Sequence, residues 1–218
     1  VYGKIFSTSY SKFFKGDHNH IGKRNKYYSK NSLQLKTMLY RLILSTFDIK
    51  IILVLIPRVV SIFFVIFQVL GMASYPGGTI HDLSTIGYSF TLNFFSDMGA
   101  YQARNGEPNY LSMIFFSISL ILVGGTFALY YLVLPKVFGN NNRNYYLSWI
   151  GTIFALGGSI CLIGTGLTPT DLVFDLHVFF ANNIFHCFLI TSFFYSVGIF
   201  DTDILEKRYA FGYVVFFI

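Results

Sequence analysis

Long unbroken apolar runs dominate this chain. Four of them, 51–74, 110–134, 147–168 and 177–200, are close to the roughly 20 residues a helix needs to cross the hydrocarbon core of a bilayer. A fifth run starts near 209 and continues to residue 218. None alternates apolar and polar positions over about ten residues, as a membrane β-strand would. Backbone N–H and C=O groups in lipid need partners inside their own segment, so the runs predict helices. The expected fold class is all-α, a polytopic transmembrane helical bundle of four complete spans plus the start of a fifth, residues 51–218. With no initiator Met, and an end inside the apolar string "YAFGYVVFFI", the chain reads as a truncated piece of a longer protein.

The polar positions between the runs set an orientation. Residues 1–50 hold ten Lys and Arg; Lys136 and Arg143 lie in the connection 135–146, and Lys207 and Arg208 follow the fourth span. The other two connections share only Arg104. Basic segments thus alternate with segments nearly free of them, which predicts a cytoplasmic N-terminus by the positive-inside rule. Residues 1–30 read as a disordered basic cytoplasmic tail. In 31–50, Leu35, Met38, Leu39 and Leu42 share one helical face, which suggests an amphipathic helix in the interface. An extension of the first span is the alternative.

Composition agrees. Hydrophobic residues make up 54% of the chain and charged residues 12%, against about 25% charged in soluble domains. The net charge of +6 is explained by membrane orientation, and the basic residues form no nucleic-acid recognition motif. The partner expected from composition is the lipid bilayer, with no nucleic acid. Gly151, Ala155 and Ser159, spaced four apart, allow close helix–helix approach, including in an oligomer. Cys161 and Cys187 lie inside apolar runs at different depths, so no disulfide is expected.

Candidate chemistry concentrates on one side of the expected membrane. His81, Asp82, Asp97, Arg104 and Glu107 occupy connection 75–109, while Asp171 and Asp175 precede His177 at the start of the fourth span. Asn182 and His186 share a helix face four residues apart, and Asp175 continues that stripe seven residues earlier. His186 would lie about 14 Å deep, where an ionisable group is expected to face the bundle interior or a wet cavity. The functional expectation is a polar mouth on the outer face, lined by Asp97, Asp171, Asp175, His177, Asn182 and His186, that binds a lipid head group or small solute. The alternative makes Asp171 and Asp175 helix caps and leaves Asn182 and His186 as interhelical hydrogen-bonding groups. A metal needs three or four converging ligands. His81, His177 and Asp171 are the only candidates, without signature spacing, so no metal or other cofactor is predicted. Neither a phosphate-binding glycine loop nor a G-x-S-x-G elbow occurs.

Two stretches, "NFFSDMGAYQARNGEPNYLSMIFFSISLILVGG" and "GTGLTPTDLVFDLHVFFANNIF", together resemble the uncharacterised multi-span membrane family called domain of unknown function 998. The likeness rests on an S-D-L-G-like element at Ser96, Asp97, Met98 and Gly99, with Met98 in place of the usual Leu. It also rests on a G-x-x-P-x-D…H element at Gly166, Pro169, Asp171 and His177. It covers roughly 55–218 and implies a helical membrane fold with those positions as motif residues, but no reaction. A related pattern in DRAM and Sfk-type membrane proteins is the second choice. The expected function is therefore binding, transport or scaffolding in a membrane. The alternative is a membrane-embedded hydrolase or lipid-modifying enzyme using His177 or His186 with aspartates, with or without a metal.

Overall fold

The computed structural model describes residues 49–139, 141–202 and 205–217 of the 218. The chain divides into two compact units, Val1–Ile52 and Leu53–Ile218, and the architecture below is that of the second. The expected tail 1–30, and all but the last two residues of the expected interfacial helix 31–50, lie outside the described residues.

Among the described residues the protein is all-helical, with two isolated β-bridges and no strand. A π-turn at Ile51–Leu55 runs directly into α1 (Ile56–Ser74), whose second residue, Pro57, has no N–H to give to the preceding turn. α2 (Tyr110–Val133) tightens into a 3-10 turn at Leu134–Phe138, led by Pro135, which lacks the N–H to continue an α-helix. α3 (Asn142–Leu167) starts where the Asn141 side chain accepts from the N–H groups of Arg143 and Asn144. α4 (Phe174–Phe200) and the shorter α5 (Arg208–Phe217) complete the unit. Ile51–Ser74, Tyr110–Phe138, Asn142–Leu167 and Phe174–Phe200 are each long and apolar enough to cross a membrane, consistent with a multi-pass integral membrane protein.

Consecutive helices pack side by side. Lipid provides no hydrophobic drive between spans, so close van der Waals fit and interhelical hydrogen bonds must hold them. The fit is clearest between α3 and α4, where aromatic side chains of α4 cover glycines of α3. A Cβ on Gly164 would sit 2.6 Å from the Phe180 ring, on Gly158 2.8 Å from Phe188, and on Gly151 2.9 Å from Tyr195. As the α3 numbers fall the α4 numbers rise, the register of an antiparallel pair. Between α2 and α3, Gly124 lies against Ser159 and Ile163. Between α1 and α2, buried Gln68 donates Nε2–H to Ser119 Oγ at 2.5 Å, while Phe67 stacks on Phe115. The Thr152 hydroxyl lies 3.0 Å from the Tyr131 carbonyl and 2.8 Å from the Tyr195 hydroxyl, joining three spans.

The two ends of the bundle differ. At one end Arg143 pairs with Asp201, and Asn144 donates to the Asp201 carbonyl, tying the start of α3 to the end of α4. At the other end, residues 75–109 form a hydrogen-bonded cap.

Candidate functional site

Two glycines shape the cap. Gly77 and Gly78 have φ of 147° and 84°, and a Cβ on Gly78 would lie 2.3 Å from the Asn105 backbone nitrogen. Only glycine lets these two backbone segments pass so closely. Beyond them, the 3-10 turn Phe95–Gly99 points Asp97 inward. Asp97 is 4% exposed and fully engaged. One oxygen accepts from Arg104 Nη2 at 2.8 Å and Nε at 3.1 Å; the other accepts from the Phe94 N–H at 3.0 Å and Asn93 Nδ2 at 3.1 Å. A carboxylate cannot stay buried without such partners. Buried Asn109, just ahead of α2, donates Nδ2–H toward the carbonyls of Asp97, Met98 and Ala100. Tyr75 Oη accepts the Arg104 N–H, and burial pushes the Tyr75 hydroxyl up from its ordinary value.

Asp171 holds the second strap. Its two carboxylate oxygens accept from the Tyr101 N–H at 2.8 Å and the Gln102 N–H at 2.9 Å, so the α3–α4 connection grips the cap through backbone atoms. Asp171 therefore does not cap α4: its N-cap is Val173, which makes no side-chain cap bond. Asp175 sits exposed in the first turn of that helix, where an acid suits the helix dipole. His177 is buried, with Nδ1 2.6 Å from the Thr168 carbonyl, so Nδ1 carries the proton and donates. That bond staples the end of α3 to the start of α4.

The motif positions share this geometry. A Cβ on Gly99 would collide with the Phe116 ring at 2.6 Å, and one on Gly166 would crowd Leu120 and Ser117 of α2 at 3.1 Å. The Pro169 carbonyl accepts from Leu172 and Val173, turning the chain into α4. Gly99 and Asp171, with the Ser96 carbonyl 3.5 Å from Thr170 Oγ1, thus latch the cap to the bundle. Asp97 braces the cap itself, and Gly166, Pro169 and His177 shape the junction of α2, α3 and α4.

A cavity of ≈330 Å³ opens at the latch, rimmed by Ser96, Asp97, Gln102, Arg104, Thr170 and Asp171. His177, Asn182 and His186 line no part of it. Asn182 and His186 lie instead on the exposed side of α4. His81 is exposed in its own turn, and among the described residues no three His, Cys, Asp or Glu side chains gather as metal ligands.

A larger cavity of ≈660 Å³, for which the sequence carries no signal, lies within the bundle between α1, α2, α4 and α5. Val60, Phe64, Val123, Leu120, Ile184 and Phe188 make most of its wall. Ser61, Thr126, Ser192, Tyr131 and Tyr213 bring hydroxyl-bearing side chains to it. Gln68, Asn109 and the α4 aromatics likewise carry no signal in the sequence, because their roles depend on partners far along the chain. No protein-family model, curated protein or solved structure matches the chain.

Proposed function

We propose that this chain is a lipid-binding protein of the membrane, with a hydrocarbon tail of a bilayer lipid held in the ≈660 Å³ cavity, in the half of the bundle away from the polar cap. The cavity is the single observation that carries the reading. Its volume falls within the roughly 300–1,000 Å³ range of ligand sites. It lies inside the spanning segments, where the surrounding solvent is itself hydrocarbon. α1 packs chiefly on α2, leaving the gap toward α4 for a chain to enter sideways. The scattered hydroxyl-bearing side chains suit an ester or head-group oxygen at one end of an otherwise apolar wall.

Binding is favoured over hydrolysis by the state of the acids. Asp97 and Asp171 are each committed to their own donors, and His177 to a carbonyl. A catalytic acid–base set would need groups within reach of one another and of a reacting atom. The basic connections supply the proposed orientation, with Lys136 and Arg143 cytosolic and the cap outward. Membership of domain of unknown function 998 belongs to the same proposal and adds no reaction to it.

A phospholipid carrying a photoreactive group at mid-chain tests the reading in proteoliposomes. Val123→Trp, which fills the cavity, is expected to lose most of the label, while Ile153→Trp, on an exposed side of α3, is expected to keep it. Equal labelling of the two variants would refute a resident lipid.

A further inference from the structure

The exposed side of α4 carries a seam that the lipid-binding reading leaves unused. Asp175, Phe179, Asn182, His186 and Leu189 follow one another at steps of four, three, four and three, and all five are exposed. That 3.5-residue repeat is the spacing with which one helix packs along another. Asn182 and His186 make no hydrogen bond among the described residues, although α4 is 27 residues long and His186 stands about 18 Å along it. An amide and an imidazole facing hydrocarbon at that depth are costly unless something polar covers them.

We propose that a second copy of this chain covers the seam, giving a parallel two-fold dimer through α4. Copies inserted in one membrane with one topology present α4 in the same direction, so like positions meet at like depth. The polar pair is self-complementary under that symmetry: Asn182 carries both donor and acceptor atoms, as does a neutral His186. Each can serve the other across the axis, which is the isologous arrangement of a two-fold interface. A polar residue at one core position of a helix pair also fixes its register. The apolar flanks, Phe179 at 57% exposed and Leu189 at 36%, extend the contact on both sides of the polar pair. The five seam residues line no part of the lipid cavity, which α4 borders through Ile184, Phe185, Phe188 and Ser192.

The test uses the full chain in liposomes with Cys161→Ala and Cys187→Ala as background. Leu189→Cys is expected to form a disulfide between two copies, and Ile153→Cys, exposed on α3, is not. In a fluorescence-transfer titration against lipid, Asn182→Leu with His186→Leu is expected to weaken association about tenfold. Both replacements are compatible with lipid, so the variant folds whether or not it pairs, and Ile153→Cys reports on folding in parallel. Three outcomes would each overturn the proposal. They are a monomer at every protein-to-lipid ratio, association untouched by the double leucine variant, and a Leu189→Cys adduct formed only within one chain or to another protein.

Discussion

Removing the Asp97 carboxylate should loosen the cap by an amount the geometry bounds. Solvent-exposed ion pairs contribute about 0–1 kcal/mol, whereas stripping one partner from a fully buried pair costs about 3–5 kcal/mol. Asp97 and Arg104 fall between, with side chains 5% and 39% exposed. About half the buried figure is therefore appropriate, roughly 2 kcal/mol. Asp97→Ala also strands the Phe94 N–H and the Asn93 amide, adding about 1 kcal/mol. The total of about 3 kcal/mol corresponds to roughly two decades of lost protection against amide exchange at Phe94, Tyr101 and Gln102. Arg104→Ala leaves Asp97 with its two other donors and should cost about 1.5 kcal/mol, and the double variant should cost no more than Asp97→Ala alone. Amide exchange on the protein in micelles measures all three. Single effects that simply add, or unchanged protection in Asp97→Ala, would show that the ion pair does not hold the cap.

Other outcomes follow from the same geometry. Gly164→Ala drives a Cβ into the Phe180 ring and should destabilise by about 1–3 kcal/mol. Gly125→Ala meets nothing within 4 Å and should be neutral or stabilising by up to about 1 kcal/mol. Unfolding by denaturing detergent, followed by circular dichroism, distinguishes the two, and equal midpoints would contradict the α3–α4 packing. The Asp82 carboxyl is held below its ordinary value by hydrogen bonds from the Ser84 hydroxyl and N–H. A depressed folded-state value means its contribution is complete above the unfolded value near 3.8 and is lost as pH falls through the folded one. The Ser84 amide resonance should therefore move only in acid below that value; movement between pH 5 and 7 would refute the assignment.

Hydropathy located the spans because their length is imposed by the bilayer and needs no knowledge of partners. Two helices begin before their apolar runs for a local reason. α3 begins at Asn142, not 147, because Asn141 caps a polar first turn that no apolar run includes. α4 begins at Phe174, not 177, because the Pro169 carbonyl turns the chain early and Asp175 interrupts the run. The acids of the cap were visible as a cluster, but Asp171 was open to a helix-capping role that it does not play. Its partners lie 69 and 70 residues away, a distance that local pattern cannot bridge. Asn182 and His186 show a different limit. Depth and shared face followed from spacing, but the side chains sit on the exposed side of α4 and not toward the bundle interior, because packing against α3 takes up a different face of the helix.

Asp171 fastens the cap by main-chain N–H groups alone, so the identities of Tyr101 and Gln102 are irrelevant to that grip. The Tyr101 side chain has its own partner in Tyr110, through a 3.1 Å hydroxyl contact and an edge-on ring, so replacing it removes that contact while the Asp171 fastening persists. Proline, which has no N–H to give, is the one natural residue that would undo it at either place.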